Sequence, residues 1–179
     1  MKLLANMTIA FILLFTSSAL CAENDETFTI KDVEGKSYTV KGIEDGLDFS
    51  DFKGKIIFLD FFGHQCPPCL ASIDTYKKIQ EKYKDEIVVI GLEVQGLNSE
   101  ELKEFGKSKE INYMLVSQDQ AYDFLNYITV RAEWTGAIPF LLIVDEKGIV
   151  QLMHLGMIEE ETFEKIITEL KKGKKTTAS

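Results

Sequence analysis

Seven residues, Ile56 to Phe62 (IIFLDFF), form an apolar run broken only by Asp60 and bounded by Gly54 and Gly63. The run is too short for a helix and rich in strand formers, so it reads as a strand buried on both faces. Such a strand needs helices on either side of its sheet, and this sets the fold class. The 179 residues suit one domain, and a 45% hydrophobic content excludes an acidic disordered chain. A formal net charge of −9 argues against wrapping nucleic acid or lying on anionic lipid, both of which need clustered cations.

The periodicity around the run gives the other elements. Phe28 to Ile30 and Tyr38 to Val40, parted by Glu34-Gly35-Lys36, read as an N-terminal hairpin, followed by a loop to Lys55. Leu70, Ile73, Tyr76, Ile79 and Tyr83 recur at spacings of three and four, so a helix is expected from Pro67 to about Lys84. A strand at Glu86 to Leu92, a helix at Ser99 to Lys109, a strand at Tyr113 to Val116 and a helix at Gln120 to Tyr127 follow. A hairpin then pairs Phe140 to Val144 with Ile149 to His154, and the apolar stripe Phe163, Ile166, Ile167 and Leu170 marks a closing helix. Lys171 to Ser179 reads as a solvated end. The expected architecture is α/β, a central mixed sheet flanked by helices in three layers.

Three cysteines divide by position. Cys21 lies in an export leader: Lys2 is its charged start, Thr8 to Phe15 its apolar stretch and Thr16 to Ala22 its small-residue end. We read residues 1–22 as a signal peptide and 23–179 as one domain in the periplasm. A cleaved, soluble product is expected, with a lipid anchor at Cys21 and an uncleaved N-terminal anchor as the alternatives. Cys66 and Cys69 stand three apart and close almost no loop, so as a staple they would add little, and a redox dithiol is the better reading.

The thiolate is the attacking form in disulfide exchange. Cys66 falls where strand gives way to helix, facing unpaired N–H groups and the positive end of the helix dipole, and Cys69 lies one turn further in. This makes Cys66 the attacking and Cys69 the resolving residue. Pro67 and Pro68 suit a helix's first turn and remove two donors that would otherwise acidify Cys66, which favours a reducing pair over an oxidising one. Asp60 in its apolar strand is expensive to bury without a role; its pKa should rise, suiting it to accept a proton from Cys69 through a water. The alternative is a hydrogen-bonded core acid. Ile138-Pro139 enters the Phe140 strand, with the isomer left open.

IFLDFFGHQCPPC at Ile57 to Cys69, GAIPFLL at Gly136 to Leu142, and Gly156 resemble the thioredoxin superfamily, in its exported TlpA/ResA-like branch. The N-terminal hairpin and an extra strand-helix segment around residues 92–116 resemble that branch too. The resemblance implies a thioredoxin-like fold and a thiol-disulfide oxidoreductase. Cys66 would be nucleophile, Cys69 resolver, Asp60 the buried acid and Pro139 a cis proline facing the dithiol. Ile138 would offer backbone groups to a substrate, with Gln65, Pro67, Pro68 and Trp134 around it. No cofactor or metal is implied beyond the Cys66-Cys69 disulfide. The partners implied are protein clients with disulfides or thiols and a membrane or periplasmic electron-donor thiol protein, with no nucleic acid. The chain departs from the family at Gln65 and Phe62, where tryptophans are usual, and at Ser72, where the cytochrome c maturation branch often has an acid.

His64 reads as an exposed loop residue rather than a tuner of the thiolate, and Trp134 as either a rim or a packing residue. A disulfide-forming oxidase, a copper carrier using His154, and a peroxidase on the same fold are the competing functions. CxxC spacing suits neither of the last two.

Overall fold

The computed structural model describes residues 26–176; the export leader expected at residues 1–22, with Cys21, lies outside them. Strands β1 (Thr27–Lys31), β2 (Ser37–Ile43) and β3 (Gly46–Phe49) form an antiparallel sheet in that order. The expected hairpin thus gains a third strand. Residues 46–49 read as loop because four residues between Gly46 and the turn at Ser50–Phe52 carry too little pattern to register as a strand.

Next come β4 (Ile56–Phe62), α1 (Pro67–Lys82), β5 (Ile87–Glu93), α2 (Ser99–Ser108) and β6 (Met114–Ser117). A 3-10 turn at Gln118–Ala121 leads into α3 (Tyr122–Arg131), and β7 (Phe140–Val144), β8 (Val150–Leu155) and α4 (Glu160–Thr176) complete the chain. The central sheet runs β6-β5-β4-β7-β8. β4, β5 and β6 are parallel, whereas β7 is antiparallel to both neighbours. The solvated end expected from Lys171 onward is instead helical to Thr176, since a lysine-rich stretch without proline keeps good helix propensity, and Lys171 pairs with Glu86.

Every residue of β4 is buried, and its alternation sorts the core. Ile57, Leu59 and Phe61 face the N-terminal sheet and α3, packing with Val40, Phe49, Phe124 and Ile128. Ile56 and Phe58 face α1 and α4 through Tyr76, Ile79, Phe163 and Ile167. Phe62 joins a third cluster with Cys66, Cys69, Leu102 and Leu115. Asp60, between Phe58 and Phe62, is thereby placed on the α1 side. This is the three-layer α/β arrangement of the thioredoxin fold.

Candidate functional site

Chain geometry delivers the two cysteines to the carboxyl end of the central strand, where open α/β sheets hold their chemistry. Cys66 is the N-cap of α1 with extended backbone, and its Sγ accepts a hydrogen bond from Cys69 N at 3.3 Å. Pro67 and Pro68 occupy the first two helical positions and have no N–H, so Cys69 supplies the first backbone donor of the helix. The two sulfurs are joined in a disulfide, with Cα atoms 5.2 Å apart. Cys66 is 7% exposed and Cys69 2%, so Cys66 is the more accessible residue of the pair. Gln65, Pro67 and Pro68 lie around it, both prolines exposed.

Asp60 is 2% exposed. Burial pushes its carboxyl up from 3.8 to about 7, against a lowering hydrogen bond with Tyr76. Its Oδ1 is buried with no protein partner among the described residues. Burial likewise holds the Tyr76 and Tyr113 phenols well above their ordinary range, with the Asp60 charge adding to it. Tyr113 packs against both the disulfide cluster and the Tyr76 cluster, its ring meeting that of Tyr76 edge-on at 6.1 Å. Ser72 is buried and donates to Pro68 O at 3.2 Å, while Asp74 faces solvent.

The Ile138-Pro139 bond is cis, which settles the isomer left open by the sequence. Ile138 packs against the cluster that contains Cys66 and Cys69. Trp134 is half-buried, stacking on Phe140 at 5.9 Å and meeting Phe61 at 4.9 Å, and its Nε1 donates to Ala137 O at 2.8 Å. It therefore packs and also holds the loop leading to the cis proline. Gly156 N donates to Pro139 O at 2.8 Å, tying that loop to the end of β8.

His64 departs from expectation. It is 19% exposed, and its Nδ1 lies 2.8 Å from Oε1 of Glu93, a carboxylate with no exposure. Sequence reading missed Glu93 because it ended the strand one residue earlier, at Leu92. The available signal was the one that singled out Asp60: an acid at the end of an apolar strand. Among the described residues no group of three or more His, Cys, Asp or Glu could hold a metal, and no helix is long and apolar enough to cross a membrane.

The AhpC/TSA family model matches residues 19–153. A thiol-disulfide oxidoreductase ResA of Halalkalibacterium halodurans is 23% identical over 159 residues, covering 87% of this chain and 80% of the relative. A ResA of Bacillus cereus is 28% identical over 141 residues, covering 76% and 70%. The crystal structure of the exposed lipoprotein thioredoxin Etrx1 from Streptococcus pneumoniae superposes with a TM-score of 0.62 at 23% identity, over 80% of this chain and 99% of that one.

Proposed function

We propose that this chain, which belongs to the AhpC/TSA family, is an extracytoplasmic thiol-disulfide oxidoreductase that reduces disulfides of protein clients. In the reduced protein the Cys66 thiolate attacks one sulfur of a client disulfide. A mixed disulfide forms and the other client sulfur leaves as a thiolate, which takes up a proton. Cys69 then gives its proton to Asp60 through a water and attacks the Cys66 sulfur. The Cys66-Cys69 disulfide forms, and the client leaves with two electrons and, from solvent, its second proton. A thiol protein restores the dithiol by the reverse exchange.

The observation that carries this reading is the disulfide at the mouth of α1, its Cys66 sulfur capping the helix, with a raised acid on the strand beneath. The direction is argued from the same turn. With prolines in both first positions, the Cys66 sulfur has among the described residues only Cys69 N to bond, so its thiolate gains less from the helix than one facing three free amides. The relatives named ResA support the activity, and the leader read from the sequence at residues 1–22 supports export.

Insulin reduction by the dithiothreitol-primed protein tests this. Activity in the wild type and its loss in Cys66→Ser are expected, with Cys69→Ser trapping a mixed disulfide. Undiminished turnover in Cys66→Ser, or hydrogen peroxide consumption without insulin reduction, refutes the reading. A reduction potential near −120 mV, that of a strong oxidant, would reverse the direction.

A further inference from the structure

The approach to Cys66 is held from below by the β5–α2 loop. Glu93, at the end of β5, is in register with Phe62 at the end of β4, and Val94 N donates to Phe62 O at 2.9 Å. The buried Glu93 carboxylate accepts from Gln95 N at 3.0 Å and Leu97 N at 2.9 Å, as well as from His64 Nδ1. His64 Nδ1 and Gln95 N share Oε1, and Leu97 N takes Oε2. Gln95 reaches back, its Oε1 accepting from Gln65 N at 2.8 Å. Its amide lies so close over Gly63 that a Cβ there would meet Gln95 Cδ at 2.2 Å. His64 Nε2 lies 3.0 Å from the Gln65 amide nitrogen. An amide nitrogen only donates, so Nε2 accepts and Nδ1 carries the proton toward Glu93. Residues 63–65, which lead directly into the Cys66 cap, are thus gripped by the buried Glu93 carboxylate through His64 and by Gln95.

We propose that Glu93 is a positioning residue, acting through His64, that sets the local charge and the placement of the turn presenting Cys66 and so tunes the reactivity of its thiolate. The proposal rests on Cys66 being the attacking sulfur. A buried carboxylate near the turn opposes a second anion at Cys66, and the imidazole N–H offsets part of that opposition. The sign of each substitution follows. Glu93→Gln removes the anion and favours the thiolate. His64→Ala leaves the anion without its imidazole donor and disfavours the thiolate. Loss of a merely structural clamp would move both variants the same way.

Two measurements on the full chain test this. Long-range nitrogen–proton spectra of the wild type should show His64 protonated on Nδ1. Iodoacetamide capture of the reduced protein, followed at the Cys66 peptide by mass spectrometry, should run about threefold faster in Glu93→Gln and about threefold slower in His64→Ala, the scale of one partly screened charge. Protonation on Nε2 overturns the proposal, as do shifts of the same sign in both variants or rates equal to wild type. If Glu93→Gln fails to fold, the His64 tautomer and the His64→Ala rate decide. Neither readout needs a client, so loss of the oxidoreductase reading through the insulin assay is separable from loss of this one.

Discussion

Asp60 illustrates how one residue's energetics link stability to pH. Its carboxyl sits at about 7 in the folded protein against 3.8 ordinarily, because burial removes water from the charged form. A carboxyl with a raised folded value binds its proton more tightly when folded, so its contribution to stability is present at low pH and is lost as pH rises from about 4 through about 7. The loss amounts to about 4 kcal/mol at 1.36 kcal/mol per unit. Asp60→Asn should therefore be several kcal/mol more stable than wild type at pH 8 and nearly equal at pH 3, measured by urea unfolding of the disulfide form. A wild-type-minus-variant difference that does not change across this range contradicts the assignment. The same variant should slow client release from the mixed disulfide by about 100-fold, a typical size for losing a positioned base. Asp60, Cys66 and Cys69 were all legible in the sequence, because a lone acid in an apolar strand and a short-spaced dithiol before a helix are local signals. Glu93 carried that same local signal at the end of β5, but its pairing with His64, like the meeting of Tyr76 with Asp60, is set only by the fold.

At the scale of elements, the boundaries that the sequence predicted well are those written by local chemistry. β4 begins and ends as its flanking glycines indicated, and α1 starts at Pro67, where proline's fixed φ favours a first turn. α2 is written by its cap. Asn98 Oδ1 accepts from Glu100 N and Glu101 N, both at 3.0 Å, and Glu101 Oε2 accepts from Asn98 N at 3.0 Å, a reciprocal capping box. Asn98→Ala should cost about 1 kcal/mol, seen as a melting point lower by about 2–4 °C for a domain of this size. An unchanged melting point would mean that packing of Leu102, rather than the cap, holds the helix start. β3 and the last turns of α4 were less legible: β3 is too short to carry a pattern, and the lysine-rich end of α4 reads as a solvated tail although it keeps helix propensity.

Across the whole molecule, the N-terminal sheet is fastened to both edges of the central one. Val33 N donates to Leu115 O in β6 at 3.0 Å. On the opposite edge Leu47 N donates to Gly148 O at 2.8 Å, Val150 N donates to Asp45 O at 3.0 Å, and Gly46 bridges to Ile149. Backbone approaches so closely there that a Cβ on Gly46 would stand 1.9 Å from Gly148 O. Gly46→Ala should thus destabilise by about 1–3 kcal/mol, as overpacking does. Because the strain falls far along the sheet from the cysteines, insulin reduction by the folded fraction should stay at the wild-type level. Stability equal to wild type would show that the two sheets part without cost at this seam.

The amino-acid order by itself determined the strand, the dithiol turn and the helix that follows, because hydrophobic period, proline geometry and cysteine spacing act between near neighbours. Only the tertiary structure decided that Ile138-Pro139 is cis and packs beside the disulfide, that His64 answers to a buried Glu93, and that β3 closes a second sheet. Each of these depends on groups brought together from distant parts of the chain, and such a contact leaves no period or spacing to be read before the chain has folded.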